Sequence, residues 1–194
     1  MQNNHQQMAR SKQYNEQEVI EKATALFWEK GYEGTSVRML EKEMGINQFS
    51  IYASFGNKRG LFLECIQCYK KRLKGIISTL EASKDGLGGI KQYFYDFVAF
   101  SKENGIKKGC LVSNTVNELG PDSDAQLMQE LMKFSGEIHT LFRDKLKQDP
   151  TKDMETIERQ GHYLLGSMLG LSLVSKVFTQ KQIADYIETI FSNL

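Results

Sequence analysis

Proline sets the first limit on what this chain can become. Only two of the 194 residues are proline, Pro121 and Pro150. The first 120 residues therefore lack the residue that most strongly breaks a helix. Apolar residues recur there at helical spacing. Val19, Ile20, Ala23, Leu26 and Phe27 mark one face. Further on, Phe62, Ile66, Tyr69, Leu73, Ile76 and Leu80 step by 4, 3, 4, 3 and 4, the spacing of a buried stripe. No stretch sustains the period-2 alternation of a half-buried strand. The chain reads as all-α.

Start and stop signals divide it. Asn15, with Glu18 three residues on, reads as a helix N-cap. Gly31 ends that helix. Thr35 or Ser36 caps a second through Met44, and Gly45 stops it. Asn47 caps a short third helix ending at Gly56, and Asn57 caps a long fourth. Gly86, Gly88 and Gly89 read as a break before a fifth helix over 90–104. A sixth runs from near Cys110 to Gly120-Pro121. Leu127, Leu131, Phe134, Ile138, Leu141 and Leu146 mark a long seventh, with a junction at Lys147 to Thr151 that contains Pro150. Two more are predicted over 153–176 and 180–193.

The net charge of +1 excludes a histone-like polycation, but the charge is uneven. Residues 1–75 carry 12 basic and 8 acidic side chains, and residues 76–194 carry 13 and 16. That asymmetry hints at a nucleic-acid end and a neutral end. Hydrophobic content of 40% with 25% charged residues fits a globular chain. The polar N-terminus lacks the apolar core of a signal peptide. The longest weakly polar run, Tyr163 to Val174, falls short of the ~18–20 residues that span a bilayer. Three cysteines, an odd number, fit reduced thiols, so a cytoplasmic location with no membrane association is expected.

The informative stretch is Gly31 to Phe62. Two short helices meet at Met44-Gly45-Ile46, where one residue is expected to need a positive φ. With Ile46 and Ile51 packed inward against Leu40 and Val37, the third helix turns Gln48, Phe49, Ala53 and Ser54 outward. A short second helix with polar outward side chains is what a helix-turn-helix inserts into the major groove. Gln48 suits adenine and Phe49 suits a thymine methyl. Thr35, Ser36, Arg38, Ser50, Tyr52, Lys58 and Arg59 are candidates for the surrounding contacts, chiefly to phosphate.

Gly31-Tyr32, Thr35, Gly45, Tyr52, Phe55 and Lys58, continued by Leu61 and Phe62, together resemble the DNA-binding segment of the TetR family of transcriptional repressors. Three positions depart from the family pattern. Glu41 and Glu43 are acidic where small residues are common, and Phe49 replaces a common small residue. The resemblance implies a flexible tail (1–14), a helix-turn-helix domain (15–57) and a helical ligand-binding and dimerisation domain (58–194). It implies a homodimer on a palindromic operator, released by a small-molecule inducer, and not an enzyme.

Candidate ligand-lining residues on the inner helix faces are Ile66, Tyr69, Leu73, Phe94, Phe97, Cys110, Phe134, Ile138, Phe142, His162 and Met168. Candidate dimer residues are Leu164, Gly166, Ser167, Gly170, Leu171, Ile183 and Ile187. Gly166 and Gly170 are four apart, which allows close helix approach. Arg10 and Lys12 belong to the tail and are candidates for a DNA-reaching arm. Cys65 and Cys68 lie within a long helix and read as core or pocket lining rather than a redox pair. His139 and His162 stand alone in sequence, so no metal site is expected, and no cofactor is implied. Two alternatives remain open at this point: a TetR-like fold acting through protein partners, and a thiol sensor using Cys110 with Lys107 and Lys108 beside it.

Overall fold

A computed structural model describes residues 14–103, 105–120 and 124–194. Among them the helices are α1 (Glu16–Lys30), α2 (Val37–Met44), α3 (Gln48–Phe55), α4 (Lys58–Ala82), α5 (Gly86–Phe100), α6 (Leu111–Glu118), α7 (Ala125–Leu146), α8 (Met154–Val174) and α9 (Gln180–Phe191). The described residues are all-α but for one minimal antiparallel pair, β1 (Lys102–Glu103) and β2 (Ile106–Lys107).

Local chemistry places most of the boundaries. Asn15, Ser36, Asn47 and Asn57 each accept a backbone N–H from the first turn of the helix they precede. Asp124, Asp153 and Thr179 do the same for α7, α8 and α9, and Thr179 forms a full capping box with Gln182. Between Ser36 and Thr35, Ser36 is the cap.

Three readings from sequence are corrected. The fifth helix starts at Gly86, because the Asp85 carboxylate accepts the Gly88 N–H and caps it there. The glycines are not a break. A side chain at Gly86 would collide with the Lys145 carbonyl of α7, so close packing selects glycine. The same helix stops at Phe100, and the chain turns into the β1–β2 pair, whose two-residue strands are too short to show alternation. The sixth helix ends at Glu118. Pro121, Arg10 and Lys12 lie outside the described residues, while Pro150 sits in the turn between α7 and α8.

The core is organised on α4. Its residues Leu61, Phe62, Cys65, Ile66, Tyr69, Leu73 and Leu80 are buried. The first turns pack on α1, where Phe62 meets Phe27 edge-on at 4.9 Å. The later turns pack on α5 and α7. α5 also packs on α9, where Glu188 accepts from Tyr95 at 2.8 Å and from Lys91 at 2.6 Å. Loss of water and then that carboxylate push the Tyr95 phenol up to about 12. No helix among the described residues is long and apolar enough to cross a membrane.

One buried cation closes the α4–α5 corner. Lys145 is buried, and its ammonium donates to the carbonyls of Glu81 (2.7 Å) and Ser83 (2.8 Å) at the end of α4. A positive charge at a helix C-terminus satisfies orphan carbonyls and matches the helix dipole. Lys145→Met keeps the apolar stem and removes both bonds. It is expected to cost about 2 kcal/mol, visible as a lower urea midpoint, and an unchanged midpoint would deny the cap any weight.

Candidate nucleic-acid interface

The α2–α3 corner is held by a few short interactions. Leu40, Met44 and Ile51 are buried between the two helices and the body, with Val37 and Ile46 half-buried. Gly45 closes α2 at φ 71°, the left-handed conformation that glycine adopts without strain. The acidic Glu41 has a local purpose. Its carboxylate accepts the Gln48 backbone N–H at 2.5 Å, so α2 helps cap the first turn of α3.

This packing leaves one face of α3 bare. Gln48, Phe49, Tyr52 and Ala53 are exposed, and the Phe49 ring is 82% accessible. An aromatic ring held that far into water contributes little to this chain's own core. Ser50 is half-buried, and its N–H donates to Asn47. Ser54 is tied back by the Tyr14 hydroxyl at 2.5 Å. Ser36 and Arg38 are exposed at the start of α2.

Two flanking candidates are corrected. Thr35 is fully buried, and its hydroxyl donates to the Gly31 carbonyl at 2.6 Å. It locks the α1–α2 turn and cannot present its hydroxyl to a phosphate. Arg59 points away toward α7 and pairs with Asp124 at 2.7 Å, holding that carboxyl below the usual carboxylate range. Lys58 is half-buried, with its ammonium 4.5 Å from the Tyr32 ring centre. Burial lowers its pKa, while Glu33 and Glu118 oppose that shift.

Behind this corner lies a cavity among α4, α5, α6, α7 and α8. It offers about 30 Å³ to water-sized guests. Six of the eleven ligand-lining candidates meet there: Leu73, Phe97, Cys110, Phe134, Ile138 and Met168. Tyr93, Val112, Ser113, Leu165 and Ser172 complete much of the wall, and Leu169 reaches it from the exposed side of α8. The reading from sequence missed these because helical periodicity does not show which of two inward faces a helix turns to a void. Ile66, Tyr69, Phe94 and Phe142 are packed core outside the cavity lining. Tyr69 has its hydroxyl buried without a hydrogen-bond partner. His162 is exposed on α8 and does not line the cavity.

The dimer candidates divide in the same way. Leu164, Leu171, Ile183 and Ile187 point into the chain's own core, and Ser167 is buried with them. Their apolar character belongs to packing within the protomer. The outward stripe of α8 and its C-terminal turn is instead Tyr163, Gly166, Leu169, Leu173 and Val177, with Gly170 half-exposed. Leu173 and Val177 are 60% and 77% accessible.

Cys65, Cys68 and Cys110 are buried free thiols. Burial pushes the Cys65 thiol far up, which keeps it protonated and unreactive. Cys110 stands before α6 without a side-chain capping bond. Its backbone N–H donates to the Ser172 hydroxyl, which is 2.8 Å from the Ser113 hydroxyl. The start of α6 is thus pinned to α8 beside the cavity. Its end is pinned to the α1–α2 turn, where Glu118 accepts the Glu33 N–H at 2.9 Å.

A capped helix-turn-helix with one bare face, carried on a helical body with an internal cavity, defines a DNA-binding regulator architecture. Residues 19–65 match the family model described as bacterial regulatory proteins, tetR family. The uncharacterized HTH-type transcriptional regulator YezE of Bacillus subtilis is 28% identical over 96% of this chain and 100% of its own length. IcaR of Staphylococcus aureus, the negative transcriptional regulator of the biofilm operon icaADBC, is 28% identical over 70% of this chain and 73% of its own. A cysteine mutant of the TetR-family regulator CifR, solved with a 26-base-pair operator duplex, superposes with a TM-score of 0.85 at 23% identity. That match covers 95% of this chain and 98% of CifR. Residues 19–65 thus match the DNA-binding segment of the tetR family, and the whole chain is similar in sequence to YezE and in fold to CifR.

Gly31 concentrates the demands on the α1–α2 turn. It holds φ 81°, and a Cβ there would run into the Glu118 carboxylate. Gly31→Ala is expected to destabilise the fold by about 1–3 kcal/mol through the positive-φ backbone alone. The displaced Glu118 adds to that loss, so the variant's thermal midpoint should fall further than that of Glu118→Gln.

Proposed function

We propose that this regulator represses transcription as a homodimer, each protomer laying α3 in the major groove of one half of a two-fold operator. The bare α3 face of Gln48, Phe49, Tyr52 and Ala53 carries this reading. Gln48 and Phe49 read base edges. Ser36, Arg38, Ser50, Tyr52 and Lys58 position the helix against the backbone. The negative regulation named for IcaR and the operator bound to CifR support the same direction. Residues 15–57 form most of the reading head in this reading, which takes in the start of α4 as well, supported by the packing of Phe62 on Phe27.

The dimer forms through the outward stripe of α8, an apolar strip left uncovered in the protomer. Two-fold pairing of one such patch matches the two-fold symmetry of a palindromic site. The inducer is a small, largely apolar molecule that enters the cavity among Leu73, Phe97, Phe134, Ile138 and Met168. The cavity as described holds about one water, so a larger guest must part its walls. α6 runs from that wall to Glu118, and α4 runs from Leu73 to Lys58, so movement of the wall reaches both sides of the reading head. Release requires that the inducer bind the parted state more tightly.

Fluorescence anisotropy with a duplex from upstream of its own gene tests the reading. Specific binding is expected to weaken steeply with salt, and binding that is absent or indifferent to salt would overturn it. Gln48→Ala should change preference at one base by about 1–3 kcal/mol. Tyr52→Phe and Lys58→Ala should weaken binding evenly across sequences.

Leu173→Glu places a charge in the proposed dimer stripe without touching the core. It is expected to give monomers by sedimentation equilibrium and to lose operator affinity. A Leu173→Glu dimer of full affinity would move the interface elsewhere.

A further inference from the structure

The two histidines that stand 23 positions apart in sequence (139 and 162) meet in space. Their rings stack with centres 4.5 Å apart and planes 20° from parallel. His139 lies on α7 and His162 on α8, the two helices packed against each other behind the cavity. Glu158 lies one turn before His162 on the same face of α8, the i, i+4 spacing that brings two side chains together. One ligand atom from each of His139, Glu158 and His162 falls within 4.8 Å of the other two.

We propose that His139, Glu158 and His162 bind a divalent first-row transition ion of the zinc, nickel or copper kind and so clasp α7 to α8. Two imidazoles and one carboxylate, with a fourth position left for water, is a donor set such ions take, and calcium or magnesium would ask for oxygens alone.

Two further observations agree. His139 Nε2 is buried and makes no hydrogen bond, an expensive vacancy for a polar atom. The opening is also accessible, since His162 is exposed and the other two are only half-buried. Arg143 is the competitor. It pairs with Glu158, and its Nε is buried without a partner. An arriving ion takes the carboxylate and turns Arg143 out to solvent, replacing one cation by another. That exchange makes the affinity moderate, as befits a site that fills and empties. Ile138, next to His139 in sequence, lines the cavity, so the clasp and the cavity share α7.

The test uses the full chain under reducing conditions, titrated with cobalt(II) and then with zinc(II) against a chromophoric chelator. One ion per chain is expected, with d–d bands and no thiolate charge-transfer band. His139→Gln and His162→Gln should each weaken zinc binding at least tenfold. Zinc should raise the thermal midpoint of the wild type but not of His162→Gln, whose exposed position leaves folding intact. No binding, thiolate bands from the cysteines, loss of the ion when the chain's third histidine is replaced (His5→Ala), or unchanged affinity in His162→Gln would each overturn the site.

Discussion

α4 cannot be assigned to either half of the molecule, and the rest of the structure follows from that. A single apolar stripe runs its length, but the stripe has two partners. Phe62 and Cys65 complete the core under α1, and Leu73 and Leu80 complete the core under α5 and α7. Each fully buried Leu or Phe contributes roughly 1.5–3 kcal/mol of transfer free energy. Neither core can give up α4 without losing several such terms. The reading head and the body are therefore coupled by shared packing rather than by a hinge. Glu118 on Glu33 and Arg59 on Asp124 add directional contacts across the same seam.

Much of this was legible in the residues. The caps at Asn15, Asn47 and Asn57, the left-handed turn at Gly45 and the α4 stripe all rest on interactions within a few positions in sequence. Local rules suffice for such features. What escaped depends on contacts between distant segments. Gly86 looks like a breaker until the Lys145 carbonyl lies over it. Thr35 looks like a surface hydroxyl until the turn folds it onto the Gly31 carbonyl. Leu164 and Leu171 signal burial, but not whether the covering surface belongs to the same chain. His139 and His162 carry no joint signal, because the packing of α7 on α8 is what unites them.

The polar interactions of the corner share one economy. Glu41 departs from the small residue common in the family pattern, yet it stands where α3 needs an acceptor for its first N–H. Lys58 rests its charge on the Tyr32 ring, and the Arg59 charge is taken up by Asp124. Two of the positive side chains near α3 are thus engaged within the chain, and the first 75 residues hold only a modest excess of 12 basic over 8 acidic residues. Affinity for a polyanion on such a surface rests on placed contacts and two-fold repetition rather than on bulk charge.

The single tryptophan of the chain sits on the seam between the two halves. Trp28, near the end of α1, donates its indole N–H to the Gly109 carbonyl at 3.0 Å, one residue before Cys110 at the cavity wall. Its ring meets Tyr69 and Phe100, with the Lys108 ammonium 5.3 Å and the Arg72 guanidinium 5.2 Å from its centre. Indole emission depends on the polarity and charge immediately around the ring. The protein thus contains one indole, at the seam where α1 packs against the segment that leads into α6. Its spectrum reports that seam alone, without a label and without a second tryptophan to subtract.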